Sequence, residues 1–167
     1  SILYLYLNEV QNIIYLFSFL FVLGLATDVK IISSPKIRFL IQAILLFLIV
    51  YTSDLRISST RIYLIDFLIS NNLFSYFFST FCLLILINGS NFIDGLNGLL
   101  VGYYFLISII FFQLDFINFL NIENNNLLFF SMILLILFFF NIFEKSFMGD
   151  TGAYILSFFY GFLLINI

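Results

Sequence analysis

Residues 73–90 read LFSYFFSTFCLLILINGS, and no charged side chain interrupts them. An α-helix that crosses the apolar core of a bilayer needs roughly 20 mostly apolar residues. Comparable apolar runs recur along the whole chain, and the predicted spans are 10–27, 38–52, 73–90, 96–113, 127–143 and 152–167. The sequence therefore predicts an all-α fold, a polytopic transmembrane helix bundle with about six spans.

The composition agrees with a lipid environment and excludes several classes of protein. Of the 167 residues, 63% are hydrophobic and 9% are charged, whereas soluble domains carry about 25% charged residues. Six Lys and Arg against nine Asp and Glu cannot form a basic patch, so no nucleic acid is expected as a partner. The absence of His and the single cysteine, Cys82, exclude imidazole chemistry, an intrachain disulfide and a Cys-based zinc site.

Alternate loops of such a bundle lie on opposite sides of the membrane. One face would carry loops 28–37, 89–95 and 144–151, and the other 53–72 and 114–126. For 53–72 the pattern suits a small hairpin or a short interfacial helix, and for 114–126 a polar turn. Since basic residues favour the cytoplasm, the first face is predicted to be cytoplasmic. The first face carries Lys30, Lys36, Arg38 and Lys145, and the second carries Arg56 and Arg61.

Each loop of the first face has an aspartate at a helix end. These residues are Asp28, Asp94 and Asp150, and small residues flank each of them. A carboxylate near the membrane is costly unless it is paired, metal-bound or hydrated. Three such carboxylates on one face can hold a divalent cation, and hard oxygen ligands favour Mg²⁺, or Mn²⁺, over Zn²⁺.

The second loop, residues 88–99, reads NGSNFIDGLNGL. Its glycines permit positive φ and close approach of a ligand to the backbone, and the N–H groups at the start of the next helix favour an anion. Its asparagines suit a nucleobase or sugar. The alternative interpretation is a tight loop with polar caps. The residues concerned are Gly89, Gly95 and Gly98, and Asn88, Asn91 and Asn97.

Together the three loops resemble those of the polyprenyl-phosphate N-acetylhexosamine-1-phosphate transferases, glycosyltransferase family 4. Residues 88–99 are similar to the family's N-A-x-N-x-x-D-G-x-D-G-L loop, and residues 147–153 to its F-M-G-D-x-G-S segment. Residues 24–38 resemble its G-L-x-D-D … S-P-K-x-R segment. The order and the spacing agree over about residues 20–167.

Three departures from the family pattern stand out. The Asp-Asp pair occurs as Thr27-Asp28, and Asp28 matches the second Asp counted from Gly24 or the first counted from Pro35. Asn97 replaces the second Asp of loop two. The family's His-containing loop and further helices would lie beyond this chain. We therefore expect residues 1–167 to be a single transmembrane catalytic domain and a fragment that lacks N- and C-terminal helices.

The resemblance implies an enzyme that transfers a sugar 1-phosphate from a UDP-N-acetylhexosamine to polyprenyl phosphate and releases UMP. It implies Mg²⁺ dependence and a role at the start of cell-envelope polysaccharide or peptidoglycan synthesis. The expected location is the bacterial inner membrane, as a multi-pass protein whose active site faces the cytoplasm. The expected partners are the UDP-sugar, the lipid phosphate and the bilayer, and a homodimer is compatible with them.

By the same resemblance Asp150 is the metal ligand, and Asp94 is a catalytic residue beside the nucleotide that orients the substrate or supports the hydration shell of the metal. Asp28 is the candidate for engaging the attacking lipid phosphate. Lys36 and Arg38 are placed to hold phosphate, although cations that anchor a helix at the membrane surface fit as well. The uridine site would be lined by Asn91, Gly95, Leu96 and Asn97.

Two other functions compete with this interpretation. A transporter also places carboxylates at membrane depth, but its polar residues lie within the spans, whereas the three aspartates lie at loop–helix junctions. A catalytically degenerate homologue is the second alternative, because Thr27 and Asn97 depart from the pattern. Turnover of a UDP-sugar distinguishes both from an active transferase.

Overall fold

The computed structural model describes residues 17–113 and 124–166 of the chain. Within these ranges every regular element is an α-helix, so the predicted all-α class is confirmed. The helices are α1 (Phe17–Asp28), α2 (Pro35–Thr52), α3 (Tyr63–Ile69), α4 (Asn72–Ile93), α5 (Leu99–Gln113), α6 (Asn124–Ile142) and α7 (Gly149–Ile165).

Two of these helices, α2 and α4, are long and apolar enough to cross a membrane. The other apolar helices, α1, α5, α6 and α7, are shorter in the part of the chain that the structure describes. The bundle of about six spans therefore stays a prediction.

The helix boundaries follow from local chemistry. Pro35 occupies the first turn of α2, where its missing N–H costs nothing. The Asn71 side chain accepts the Leu73 N–H at 3.0 Å and caps α4. Lys30 follows α1 with φ +63° and Glu144 follows α6 with φ +57°, the left-handed conformation that commonly ends a helix.

Helix α4 lies at the centre of the bundle and packs against α2 on one side and α7 on the other. Helices α5 and α6 form a second pair, which meets α7. Apolar side chains fill two clusters, and α7 contributes to both. One cluster includes Leu20, Leu46, Ile87 and Tyr154, and the other includes Val101, Tyr104, Leu134 and Tyr160.

Three local predictions change. Helix α4 continues through residues 88–93, so the loop predicted over 88–99 is confined to 94–98. The segment 53–72 contains the short helix α3 and no strand, which agrees with the helix alternative and not with the hairpin. Helix α6 already begins at Asn124, where a polar turn was expected, and residues 114–123 lie outside the described ranges.

Side-chain contacts define one polar end of the bundle. The C-terminal ends of α1 and α4 and the N-terminal end of α2 all contact the start of α7. The segment 53–62 instead contacts the first half of α4, at the opposite end. The prediction that the three aspartate-bearing segments share one end of the bundle is therefore confirmed.

Candidate functional site

The first turn of α7 is the point on which the three aspartates converge. Asp28 Oδ1 accepts the Asp150 N–H at 2.8 Å, and Asp28 Oδ2 accepts the Thr151 N–H at 3.1 Å and the Thr151 hydroxyl. The N–H groups at a helix start lack partners within the helix, and the helix dipole favours an anion there. Asp28, at the end of α1, therefore caps α7 from outside the helix.

A glycine permits this contact. A Cβ at Gly24, one turn before Asp28, would lie 2.5 Å from Thr151 Cα and 2.9 Å from Thr151 N. Only a residue without a side chain allows the backbones of α1 and α7 to approach this closely. The Thr27 side chain is buried and its hydroxyl donates to the Gly24 carbonyl at 2.6 Å, so it is Asp28 that caps the first turn of α7.

Asp94 follows α4 and is only 7% exposed. Its Oδ2 accepts the Gly149 N–H at 2.9 Å, whereas its buried Oδ1 has no hydrogen-bond partner. Burial raises the pKa of Asp94 above its usual value, and the Asp150 and Asp28 carboxylates raise it further. The Gly149 and Met148 N–H groups act in the opposite direction. An orphaned buried oxygen of this kind calls for a cation or a donor.

Asp150 lies in the first turn of α7 and forms an ion pair. Its Oδ2 is 2.5 Å from Arg38 Nη1, and the two side chains are 19% and 26% exposed. The buried Tyr154 hydroxyl lies 3.4 Å from the same oxygen. The predicted metal ligand and a predicted phosphate-binding cation are therefore partners of one another.

A second set of contacts joins loop 94–98 to the end of α6. Asn141 is 3% exposed; its Oδ1 accepts the Gly98 N–H and its Nδ2 donates to the Ser146 carbonyl at 2.9 Å. In the same loop, Asn97 Nδ2 donates to Oε1 of Glu144, two residues beyond the end of α6, at 2.6 Å. The loop predicted to bind the nucleotide is thus fixed by Asn141 at the end of α6 and by Glu144 in the loop that precedes α7.

The remaining predicted binding residues also lie at this end of the bundle, but none of them forms a side-chain hydrogen bond or an ion pair with the three aspartates. Lys36 is exposed in the first turn of α2, and Asn91 is half-buried in the last turn of α4. Gly95 and Leu96 are exposed in the loop that follows. Of the three loop glycines only Gly98 has a positive φ, +76°.

Sequence reasoning missed several residues of the site. Thr151 and Tyr154 lie in the first two turns of α7 beside Asp150, and their contacts depend on where α1 and α2 dock. Asn141 is a single polar residue at the end of an apolar run, and that was the one available signal for it. Glu144 is a charged loop residue of a kind that is usually solvated, but its Oε1 accepts a hydrogen bond from Asn97 Nδ2.

The donor set fits a small divalent cation that also binds a phosphorylated substrate. Among residues 17–113 and 124–166 no three acidic, His or Cys side chains form a complete ion site. Mg²⁺ is usually held by one or two carboxylates, with substrate phosphates and water completing its shell. Asp150 and the unpartnered Oδ1 of Asp94 supply such a partial set.

Comparison with known proteins gave a match to a family model. A family model described as "Glycosyl transferase family 4" matches residues 10–167, which include all three aspartates, loop 94–98 and the loop that precedes α7. No curated protein and no solved structure matches the chain.

Proposed function

Because this chain belongs to glycosyl transferase family 4, we propose that it transfers a sugar 1-phosphate from a UDP-N-acetylhexosamine to polyprenyl phosphate and releases UMP. One observation carries the proposal. Asp28, Asp94 and Asp150 meet at the N-terminus of α7 with Arg38 beside them. Anionic and cationic groups together at one helix start suit a reaction between phosphates.

The acceptor phosphate would bind at the start of α2. Lys36 is exposed there, and Arg38 uses one Nη1 donor on Asp150 and has further N–H donors for a phosphate. A phosphate monoester is already mostly ionised near neutral pH, so its attack on the β-phosphorus of the donor needs no strong base. These two cations would hold and orient the nucleophile.

The donor would lie along loop 94–98. Its nucleotide would contact Asn97 and the exposed backbone at Gly95 and Leu96, while Asp94 would orient the pyrophosphate. Asp150, together with the unpartnered Oδ1 of Asp94, would hold Mg²⁺. When bound, this ion supplies stabilisation of the negative charge that develops on the pyrophosphate.

Asp28 would act by fixing the site. Both of its oxygens accept hydrogen bonds from α7, so it sets the position of Asp150 relative to α1. Engagement of the lipid phosphate by Asp28 stays a prediction, and it would require the carboxylate to leave part of this cap.

The protein is proposed to be a multi-pass protein of the bacterial inner membrane, with this site facing the cytoplasm. The apolar helices and the many exposed phenylalanines, such as Phe77, Phe81 and Phe139, support a lipid-facing exterior. The excess of basic residues at the aspartate end supports the orientation. A product for peptidoglycan or another cell-envelope polymer follows from the same proposal.

The test is release of UMP by the purified full chain in detergent, with polyprenyl phosphate and a UDP-N-acetylhexosamine. We expect turnover that needs both substrates and Mg²⁺. Asp150→Asn should abolish most of it, whereas Asp54→Asn, at the opposite end of the bundle, should not. Binding of the UDP-sugar without UMP release would identify a degenerate homologue, and a chain that binds neither substrate would contradict the proposal.

A further inference from the structure

Glu144 occupies a backbone position that suits glycine. It follows α6 with φ +57°, and its N–H donates to the Asn141 carbonyl at 3.0 Å while the Lys145 N–H donates to the Phe140 carbonyl at 2.9 Å. This is the hydrogen-bonded helix end at which glycine is usual. A residue with a side chain costs about 1–2 kcal/mol in the left-handed conformation. A side chain retained in such a conformation often serves function.

The side chain of Glu144 contacts loop 94–98, the predicted nucleotide-binding loop. Its Oε1 accepts a hydrogen bond from Asn97 Nδ2 at 2.6 Å. An ionised carboxylate can only accept hydrogen bonds, whereas an amide has one donating and one accepting end. Glu144 therefore fixes which end of the Asn97 amide points away from it, and that end is the carbonyl Oδ1.

We propose that Glu144 is a positioning residue that makes Asn97 select a pyrimidine base with an N–H donor at ring position N3. This inference rests on the proposed function, in which Asn97 contacts the base. Uracil has a donor at N3, which the Asn97 carbonyl can accept. Cytosine has a lone pair at N3, which would face the carbonyl lone pairs and leave both unpaired, a costly arrangement away from water.

The same contact accounts for the asparagine at position 97. An aspartate there would put two carboxylates at hydrogen-bond distance across the loops, and like charges this close repel one another. The amide removes the repulsion and converts the pair into a charge-assisted hydrogen bond. Asn97 and Glu144 therefore function as a unit, and a change at one should alter the effect of a change at the other.

Lys30 supplies a matched control for the backbone. It ends α1 with φ +63° and has the same pair of hydrogen bonds, from the Lys30 N–H to the Thr27 carbonyl and from the Ile31 N–H to the Ala26 carbonyl, each at 2.9 Å. Replacement of either residue by glycine relieves the same strain. Only the change at Glu144 removes an acceptor from Asn97.

The experiment measures competitive inhibition of UMP release by UMP and by CMP in the full chain. Glu144→Gln keeps the size of the side chain but allows the Asn97 amide to flip by 180°, because a glutamine amide can donate as well as accept hydrogen bonds. We expect the ratio of the CMP to the UMP inhibition constant to fall about fivefold, mainly through weaker UMP binding, as for loss of one hydrogen bond between neutral groups. Glu144→Gly should lower the ratio equally while the melting temperature holds or rises. Lys30→Gly should leave the ratio unchanged.

A double-mutant cycle adds a readout that a merely structural role would not move. Asn97→Asp alone should weaken UMP binding about fivefold through repulsion, and Glu144→Gln, harmful in the parent chain, should restore it in that background. An unchanged CMP-to-UMP ratio in Glu144→Gln and Glu144→Gly, with normal turnover of the parent, overturns this inference and leaves the proposed function standing. A parent chain that neither turns over nor binds UMP overturns both.

Discussion

Arg38 Nη1 lies 2.5 Å from Asp150 Oδ2, so that the start of α2 and the start of α7 are joined by a partly buried ion pair. The pair brings together a carboxylate proposed to hold Mg²⁺ and a cation proposed to hold phosphate. Its two members should therefore differ in what their loss does. Removal of the cation affects folding as well as binding, whereas removal of the carboxylate charge affects chiefly the reaction.

Asp150→Asn should lower kcat by at least about 10²-fold, the scale of one major electrostatic contact in the transition state. Added Mg²⁺ should restore little of the loss. Arg38→Leu should cost about 2 kcal/mol of stability, because it leaves the Asp150 carboxylate without its partner. Arg38→Lys should cost less stability, because lysine keeps the positive charge. Steady-state kinetics and thermal unfolding in detergent measure both. Near-normal kcat in Asp150→Asn would remove the metal assignment.

The ionisation of Asp94 should make stability fall as pH rises. Its pKa is raised in the folded state, chiefly by burial, so the folded protein holds a proton that the unfolded chain releases. Stability is then lost from the usual aspartate pKa, about 4, up to the folded value. Asp94→Asn should remove this loss, so the stability of the variant relative to the parent should increase as pH rises. The same change should lower activity. Thermal unfolding in detergent across the acid-to-neutral range measures the difference.

Asp54 is a control for this prediction, because its pKa is shifted in the opposite direction. The Tyr76 hydroxyl, followed by Arg56, lowers the pKa of Asp54. Its contribution to stability is present above the usual aspartate pKa and is lost as pH falls through the folded value. The stability of Asp54→Asn relative to the parent should therefore decrease as pH rises. Parallel pH trends in the two variants would contradict the role of burial at Asp94.

The cap that Asp28 provides to α7 predicts a stability effect separate from catalysis. Asp28→Ala should cost about 1 kcal/mol, the usual value of a lost helix cap, and Asp28→Asn should cost less because an amide oxygen still accepts. Thr151→Val, which deletes one hydroxyl donor to Asp28, should cost less again. If Asp28→Asn unfolds like the parent and yet loses nearly all activity, Asp28 does more than cap α7.

Residues 28–37 are predicted to face the cytoplasm and residues 53–72 the other side of the membrane. Ser33 and Ser58 are both exposed, so each can be changed to Cys after Cys82→Ala removes the native thiol. In intact cells an impermeant maleimide should label position 58 readily and position 33 only after permeabilisation. Labelling of position 33 in sealed cells would reverse the orientation.

The convergence of Asp28, Asp94 and Asp150 could be predicted from the sequence, because alternate loops of a helix bundle share an end. The partner of each carboxylate could not, since the Arg38–Asp150 contact depends on how α2 docks beside α7. The sequence also predicted a loop over residues 88–93, which are helical, because the effect of their polar side chains depends on how α4 packs against α2. Asn88 suggested a loop, but its Nδ2 donates to Gln42 Oε1 at 3.0 Å on α2, and this partner lets the helix continue through a polar stretch.

Two glycines on the helices around the site should respond to alanine in opposite ways. At Gly24 a Cβ would lie 2.5 Å from Thr151 Cα, a backbone atom that cannot move alone, whereas at Gly89 a Cβ would meet no atom within 4 Å. Gly24→Ala should therefore push α1 away from α7, cost about 1–3 kcal/mol as overpacking does, and misplace Asp28 enough to lower kcat. Gly89→Ala should gain about 0.5–1 kcal/mol from the better helix propensity of alanine and leave kcat unchanged. Thermal unfolding and UMP release on both variants test the pair, and equal behaviour of the two would contradict the close approach of α1 to α7.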